Sequence, residues 1–283
     1  MSRPLAEVMA IVNRTPDSFY DKGATFAEEN ALVRIDDAVS AGASIIDIGG
    51  VKAGPGDDVS VSAEIERVVP LVAVARQRHP DVTLSVDTWR APVAEAAIAA
   101  GADLINDTWA GFDPELVEVA GAHRVGYVCS HTGGVTPRTR PHRVHFDDVV
   151  ADVIAETTAL AERAVSVGVP EERVFIDPTH DFGKNTYHGL ELLRRVDELV
   201  ATGWPVLMAL SNKDFVGETV NRGLGGADIA ERVPGTLAAT AWAAARGVAA
   251  FRAHEVQATL DVIRMTAAIQ GQMGPIHTVR GLA

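Results

Sequence analysis

The chain is short of cysteine, aromatic residues and positive charge, and each shortage removes a class of function. Its one cysteine, Cys129, can form neither an intramolecular disulfide nor a thiolate zinc cluster, which suits a cytoplasmic protein. Aromatic residues make up only 5% of the 283, so the core must be aliphatic. A net charge of −13 argues against nucleic acid or an anionic membrane surface as a general partner. Local cations could still hold a small anionic ligand. The least polar stretch, Gly235 to Phe251, is Ala-rich and interrupted by Arg246, so it reads as packed helix running into strand rather than a membrane span. The segment from Met1 to Ser18 lacks the apolar region and small-residue cleavage site of a signal peptide. No GxGxxG loop and no Walker-type phosphate loop follows any apolar run.

What is present is one repeated unit, clearest from Thr83 to Gly111. A β-branched run ends on a carboxylate at Asp87, and an Ala-rich helical segment, Pro92 to Ala100, is closed by Gly101. Leu104-Ile105 then runs into Asn106 and Asp107. The pattern recurs at Glu7–Val12 ending on Asn13, Ser44–Ile48 carrying Asp47, and Val125–Cys129 ending on Ser130-His131. It recurs again at Val174–Ile176 ending on Asp177, Pro205–Leu210 ending on Ser211-Asn212-Lys213, and Val248–Phe251 ending on Arg252 and His254. Helical patterns separate most of these runs, including Ala27–Ala41, Ser62–Arg78, Phe146–Val167, Leu190–Val200 and Ala227–Ala245, and one more follows the last run. Eight such units without a linker predict an α/β fold, a (β/α)8 TIM barrel forming a single domain over residues 1–283, with a loose tail from about Gln270. A doubly wound open sheet is the alternative. Three long Gly/Pro/Asp-bearing loops, Arg14–Thr25, Gly49–Ser60 and Thr132–His145, read as mobile segments over the catalytic rim.

Strand C-termini deliver functional groups in such folds. Asp87, Asn106 and Asp177 are acceptors suited to a ring edge with several N–H donors, such as a pterin or purine. Lys213 could donate to a ring carbonyl or nitrogen. Arg252 and His254, two apart on the last strand, could clamp a phosphate. Asn13 could join them through Mg²⁺, which takes amide and phosphate oxygens. Each residue also has a plain structural role open to it. Asp87 could be a helix N-cap, Asn106 a turn residue and His254 a hydrogen-bonded core histidine. His131 and Cys129 read as packing, and Asp47 stands open between structure and function.

Over nearly its full length the chain resembles dihydropteroate synthase, in particular the divergent second copies carried by some actinobacteria. The resemblance rests on Asn13 followed by Thr15-Pro16-Asp17-Ser18-Phe19, on Asp47-Ile48-Gly49-Gly50 and on Ser85-Val86-Asp87-Thr88. It continues through Gly101–Asp107, Asp177-Pro178 with Phe182-Gly183-Lys184, Ser211 with Lys213, Gly235-Thr236, and Arg252 with His254-Glu255. It implies a dimeric TIM barrel in which p-aminobenzoate displaces diphosphate from a pterin with help from Mg²⁺. By position, Asp87, Asn106, Asp177 and Lys213 would hold the pterin with Phe182 beside it. Asn13, Arg252 and His254 would hold the diphosphate and metal; no residue is assigned to catalysis outright, and Lys213 and Arg252 would serve it in an active chain.

The departures point the other way. Where the family carries Glu-Ser-Thr-Arg before Pro-Gly, this chain has Val51-Lys52-Ala53-Gly54. Asn212 stands in place of an Arg, Thr179 and Asp181 in place of glycines, Asp214 is an added anion, and Arg14 replaces a small apolar residue. Losing one charged donor in a dry site costs on the order of 10²–10³ in rate. The expectation is therefore a homologue that keeps a pterin pocket with weak or absent synthase activity, and weakened sulfonamide binding through Asn212 and Ala53. The alternatives are an active synthase in which Arg14 and Lys52 replace the lost arginines, and a non-synthase pterin-binding protein.

Overall fold

The computed structural model describes residues 5–15, 25, 27–52, 54–139, 144–220 and 228–280. Pro16 to Phe19 and Ala53 lie outside the described residues, with most of the first long loop, residues 140–143 of the third, and the sulfonamide expectation as far as it rests on Ala53.

β-Branched runs form parallel strands: β1 (Glu7–Asn13), β2 (Ile45–Gly49), β3 (Thr83–Asp87), β4 (Leu104–Asp107), β5 (Gly126–Ser130), β6 (Val174–Asp177), β7 (Leu207–Met208) and β8 (Ala250–Ala253). Their order, β6-β5-β4-β3-β2-β1-β8-β7, joins first to last strand through β1 and β8. The wall closes between β6 and β7 by one parallel bridge, Ile176 to Val206, with the Ile176 N–H donating to the Pro205 carbonyl at 2.9 Å. The molecule is a (β/α)8 barrel in one domain, as expected. The run Pro205–Leu210 shrinks to two strand residues, because its β6 neighbour meets it only at that bridge.

Helices α1 (Glu28–Ala41), α2 (Val61–Arg78), α3 (Ala91–Ala99), α4 (Pro114–His123) and α5 (Val149–Ser166) cover the first half of the wall. They are followed by α6 (Thr186–Arg194), α7 (Val196–Ala201), α8 (Asp214–Val220), α9 (Ile229–Ala245) and α10 (Val256–Ile269). Starts are set by local chemistry: Ser60, Asp113 and Asp148 accept backbone N–H bonds at the heads of α2, α4 and α5, and Asn185 and His188 form a capping box on α6. The single helix expected over Leu190–Val200 is two helices that meet at Arg195 (φ −107°, ψ 25°). The Arg195 side chain there grips Glu198 and Asp148.

The aliphatic core lies between helices and sheet. A second, smaller apolar layer fills the barrel: Met9, Ile45, Leu104, Val128, Leu207 and Ala250, with Phe175 against it. Two residues further along three of these strands stand Asp47, Asn106 and Arg252. Strand periodicity therefore stacks a polar layer directly on the apolar plug.

Candidate functional site

Arg252 is the centre of that polar layer. Its Nε donates to Asp47 Oδ2 at 2.6 Å and its Nη2 to Asp87 Oδ2 at 3.0 Å. Asp47 is fully buried and also accepts from Ser85 Oγ at 2.6 Å and Asn106 Nδ2 at 3.1 Å. Asp47 is therefore the anchor of Arg252. Asp87 accepts from Thr108 Oγ1 at 3.1 Å as well. Burial raises the Asp87 carboxyl, Arg252 opposes the shift, and the neighbouring Asp47 adds to it. Asp87 caps no helix: Arg90 is the residue at the head of α3, and the first N–H of the helix, on Ala91, donates to Asp113.

Asn106 is not turn chemistry either. That role falls to Asp107, which accepts from the N–H groups of Trp109 (3.0 Å) and Gly111 (2.7 Å) and from Tyr127 Oη (2.7 Å). With its Nδ2 held by Asp47, the buried Asn106 Oδ1 is left without a hydrogen-bond partner. A buried acceptor in that state invites a donor. Asp177, also buried, accepts the Thr179 N–H on Oδ1 at 2.7 Å, and burial pushes its carboxyl up to about 6. Thr179 adopts φ 49°, a left-handed conformation that explains why a glycine suits this position better.

Two cavities open at this end of the barrel. The larger, about 470 Å³, is walled by Trp109, Phe182, Phe215 and His180, with Asp87, Lys213 and Arg252 at its base. Trp109 meets Phe182 edge-on, centroids 4.5 Å apart, and His180 stacks on Phe215 at 5.2 Å. The smaller, about 310 Å³, takes in Asn13, Lys52, Asn212 and His254. Both share Gly54, Asp87, Asp181, Lys213, Asp214 and Arg252. Asn106 and Asp177 line neither and sit in the barrel beneath, so the structure brings Asp87, Phe182, Lys213 and Arg252 into one cavity and Asn13 and His254 into its neighbour.

Carboxylates hold the cations here. Lys213 Nζ is 2.5 Å from Asp181 Oδ2, and Arg232, from α9, donates to Asp214 at 2.8 Å and to the Asn212 carbonyl at 2.9 Å. Lys184 directs Nζ at three carbonyls, those of His131 (3.0 Å), Phe182 (3.1 Å) and Thr179 (3.2 Å), using all three donors of an ammonium group. Asn212 (φ 57°) bonds Glu255 through Nδ2 at 3.0 Å. His254 Nδ1 lies 3.0 Å from Ser211 Oγ, and its carbonyl accepts from Arg34. Arg14 lines neither cavity; its guanidinium feels Glu28 of α1 and Arg67 of α2, and burial lowers its pKa. Only Lys52, of the two expected replacement cations, reaches the mouth.

Residue order alone hid several of these groups. Trp109 follows Asn106 closely and was signalled by nothing but its position on the rim. Arg232 is remote in sequence, and His180 gives no periodic signal. His131 does more than pack: its Nε2 is 2.9 Å from Asp152 and 3.3 Å from Glu156, tying β5 to α5. Cys129 is packing alone, fully buried, and burial drives its thiol well above the ordinary range.

Comparison with known proteins agrees with this geometry. Residues 9–254 match the family described as pterin binding enzyme. The chain is 60% identical to the Mycobacterium leprae protein named inactive dihydropteroate synthase 2, over 99% of this chain and 98% of that one. Among solved structures it superposes on Mycobacterium tuberculosis Rv1207 (TM-score 0.74, 49% identity, 96% of this chain and 98% of that one). It also superposes on the Xanthomonas albilineans dihydropteroate synthase solved with 4-aminobenzoic acid (TM-score 0.83, 37% identity, 94% and 93%). The chain belongs to the pterin-binding enzyme family as a homologue of dihydropteroate synthase.

Proposed function

We propose that the barrel mouth binds a pterin ring and makes dihydropteroate slowly or not at all. One observation carries this reading: the ring acceptors are present while the cations are already matched. Asn106 Oδ1 is a buried acceptor without a partner, whereas Lys213 is bonded to Asp181, and Arg252 to Asp47 and Asp87. Breaking the bond to a diphosphate requires cations placed where negative charge develops. Here those cations are neutralised before substrate arrives. Asp87, Asn106 and Asp177 would accept ring donors, Lys213 would face a ring acceptor, and Phe182 with Trp109 would close over the flat surface. The M. leprae relative is named inactive, which supports the same conclusion.

Steady-state assay with p-aminobenzoate and the pterin diphosphate is expected to give kcat/KM below about 10² M⁻¹s⁻¹, against the roughly 10⁴–10⁸ of ordinary enzymes. Turnover inside that ordinary range would reject the proposal and favour the active-synthase reading, with Lys52 as the relocated cation.

Ring binding should depend on pH through Asp177. The ionised carboxylate accepts from ring N–H groups more strongly than the protonated acid, which also brings a competing O–H donor, and burial pushes the Asp177 carboxyl up to about 6 before ligand arrives. Affinity should therefore be highest at pH 8 and fall at least tenfold by pH 5, with Asp87, whose carboxyl burial also raises, adding to the loss that Asp177→Asn removes. Calorimetry at pH 5 and pH 8, on the parent and on Asp177→Asn, checks this. Equal affinities for the parent at both pH values would rule out Asp177 as an acceptor.

We also propose a Mg²⁺ site at Asn13, on the edge of the smaller cavity. A carbon built on Gly49 would lie 3.6 Å from Asn13 Oδ1 and 3.8 Å from Asp87 Oδ2, so two hard oxygens face one point. Asn13, and Asp87 beside it, would hold the ion, which when bound would neutralise phosphoryl charge. By the family resemblance we also propose a cytoplasmic homodimer. No helix among the described residues is long and apolar enough to cross a membrane.

A further inference from the structure

We propose that this mouth discriminates against phosphoryl-bearing ligands, and that its ligand is a planar N-heterocycle whose side arm is uncharged or carries an amine. The inference rests on the pterin reading above and names the class of pterin.

The two cavities share a rim on which Asp181 and Asp214 stand beside Lys213, and Glu218 also lines the larger cavity. Every cation whose partners are described above has an inward commitment. Lys213 is held by Asp181, Arg232 by Asp214, Arg252 by Asp47 and Asp87, and Lys184 by three carbonyls. A diphosphate placed here could recruit Lys213 or Arg252 only by pulling it from its carboxylate. The stranded carboxylate would then face phosphate oxygens, a like-charge repulsion that is strong for the buried Asp47 and Asp87 and weaker for the more exposed Asp181.

A neutral or amine-bearing arm meets the opposite situation. Its O–H or N–H can donate to Asp181 or Asp214 without displacing a cation, and charge-assisted bonds of that kind are the strong ones. His180 strengthens the preference. Both its ring nitrogens are buried without partners, and burial, with Lys184 and Lys213 nearby, lowers its pKa to about 3. It stays uncharged and offers stacking and neutral hydrogen bonding beside Phe215, with no positive charge for a phosphate.

The test is calorimetry on the full chain in Mg²⁺-containing buffer, with 6-hydroxymethyl-7,8-dihydropterin and its diphosphate as the two probes. The alcohol is expected to bind at least tenfold tighter than the diphosphate. The double variant Asp181→Asn, Asp214→Asn should narrow or reverse that ratio by at least tenfold, through gain of diphosphate affinity. Both side chains are exposed, 39% and 78%, so the variant keeps the core intact. A salt series on the parent chain supplies a check that needs no variant. Lowering ionic strength should leave diphosphate binding flat or weaken it, since net attraction would strengthen it. Tighter binding of the diphosphate to the parent, an unchanged ratio in the variant, or affinity that climbs as salt falls would overturn the inference while leaving the pterin reading intact. Binding of neither probe would overturn both.

Discussion

Replacing Arg252 by Met is expected to cost about 3–5 kcal/mol of folding stability at neutral pH, the range for removing one partner of a buried ion pair. The reason is the company Arg252 keeps. Asp47 has no exposed side-chain surface and relies on the guanidinium at 2.6 Å, while Asp87, 18% exposed, relies on it at 3.0 Å. Ser85, Asn106 and Thr108 would remain as neutral donors, too few for two carboxylates in the barrel. A loss of that size is a large share of the roughly 5–15 kcal/mol that holds a typical domain. The stranded carboxylates would escape by taking up protons, so the folded variant would bind more protons than its unfolded chain. Its deficit against the parent should then grow as pH rises and shrink as pH falls. Urea unfolding at pH 5 and pH 8 measures both effects, and Asp47→Asn in the Arg252→Met background should recover part of the loss. A cost below about 1 kcal/mol at pH 8 would mean that water reaches this layer, and that the charges are screened as at a surface.

Gly183→Ala is expected to cost about 2–4 kcal/mol and to lower pterin affinity at least tenfold. Gly183 sits at φ +65°, where an L side chain pays about 1–2 kcal/mol. A methyl group there would also lie 2.3 Å from the Thr132 carbonyl oxygen, an immovable backbone atom, and overpacking typically adds about 1–3 kcal/mol. Relief requires the loop after β6 to back away from the loop after β5. That motion breaks the contact of Lys184 with the His131 carbonyl and displaces Phe182, an aromatic wall of the larger cavity. Thermal unfolding and pterin calorimetry on the same sample separate the two consequences. Wild-type affinity in the variant would show that the loop does not shape the ligand site.

These expectations show which layers of the structure were written locally. Strand ends were legible because each apolar run stops at a side chain the barrel cannot bury beside its aliphatic plug; β3 spans Thr83–Asp87 as the residue pattern implies. The aromatic-poor composition correctly implied an aliphatic core. Partnerships across the rim were not legible. Asp181 and Asp214 stood out as anions in place of small or neutral residues, yet nothing in the order of residues pairs Asp181 with Lys213, thirty-two positions away, or Asp214 with Arg232. Asp47 could be read either way until Arg252, 205 residues on, supplied its reason. Arg14 failed as a replacement cation because strand alternation turns it away from the side occupied by Asn13, a reversal of one residue that sequence reading misplaces easily.

The lone bridge between Ile176 and Val206 has a mechanical consequence. Elsewhere the cylinder is stitched by ladders, so breathing of the wall will concentrate at this joint. The segments that leave β6 and β7 above it carry Asp181 and Lys213, which makes their contact a clasp laid across the weakest line of the cylinder. A flat molecule seated against Asp177 and Lys213 would act as a rivet there, and the tightness of the cylinder and the occupancy of its mouth would rise and fall together.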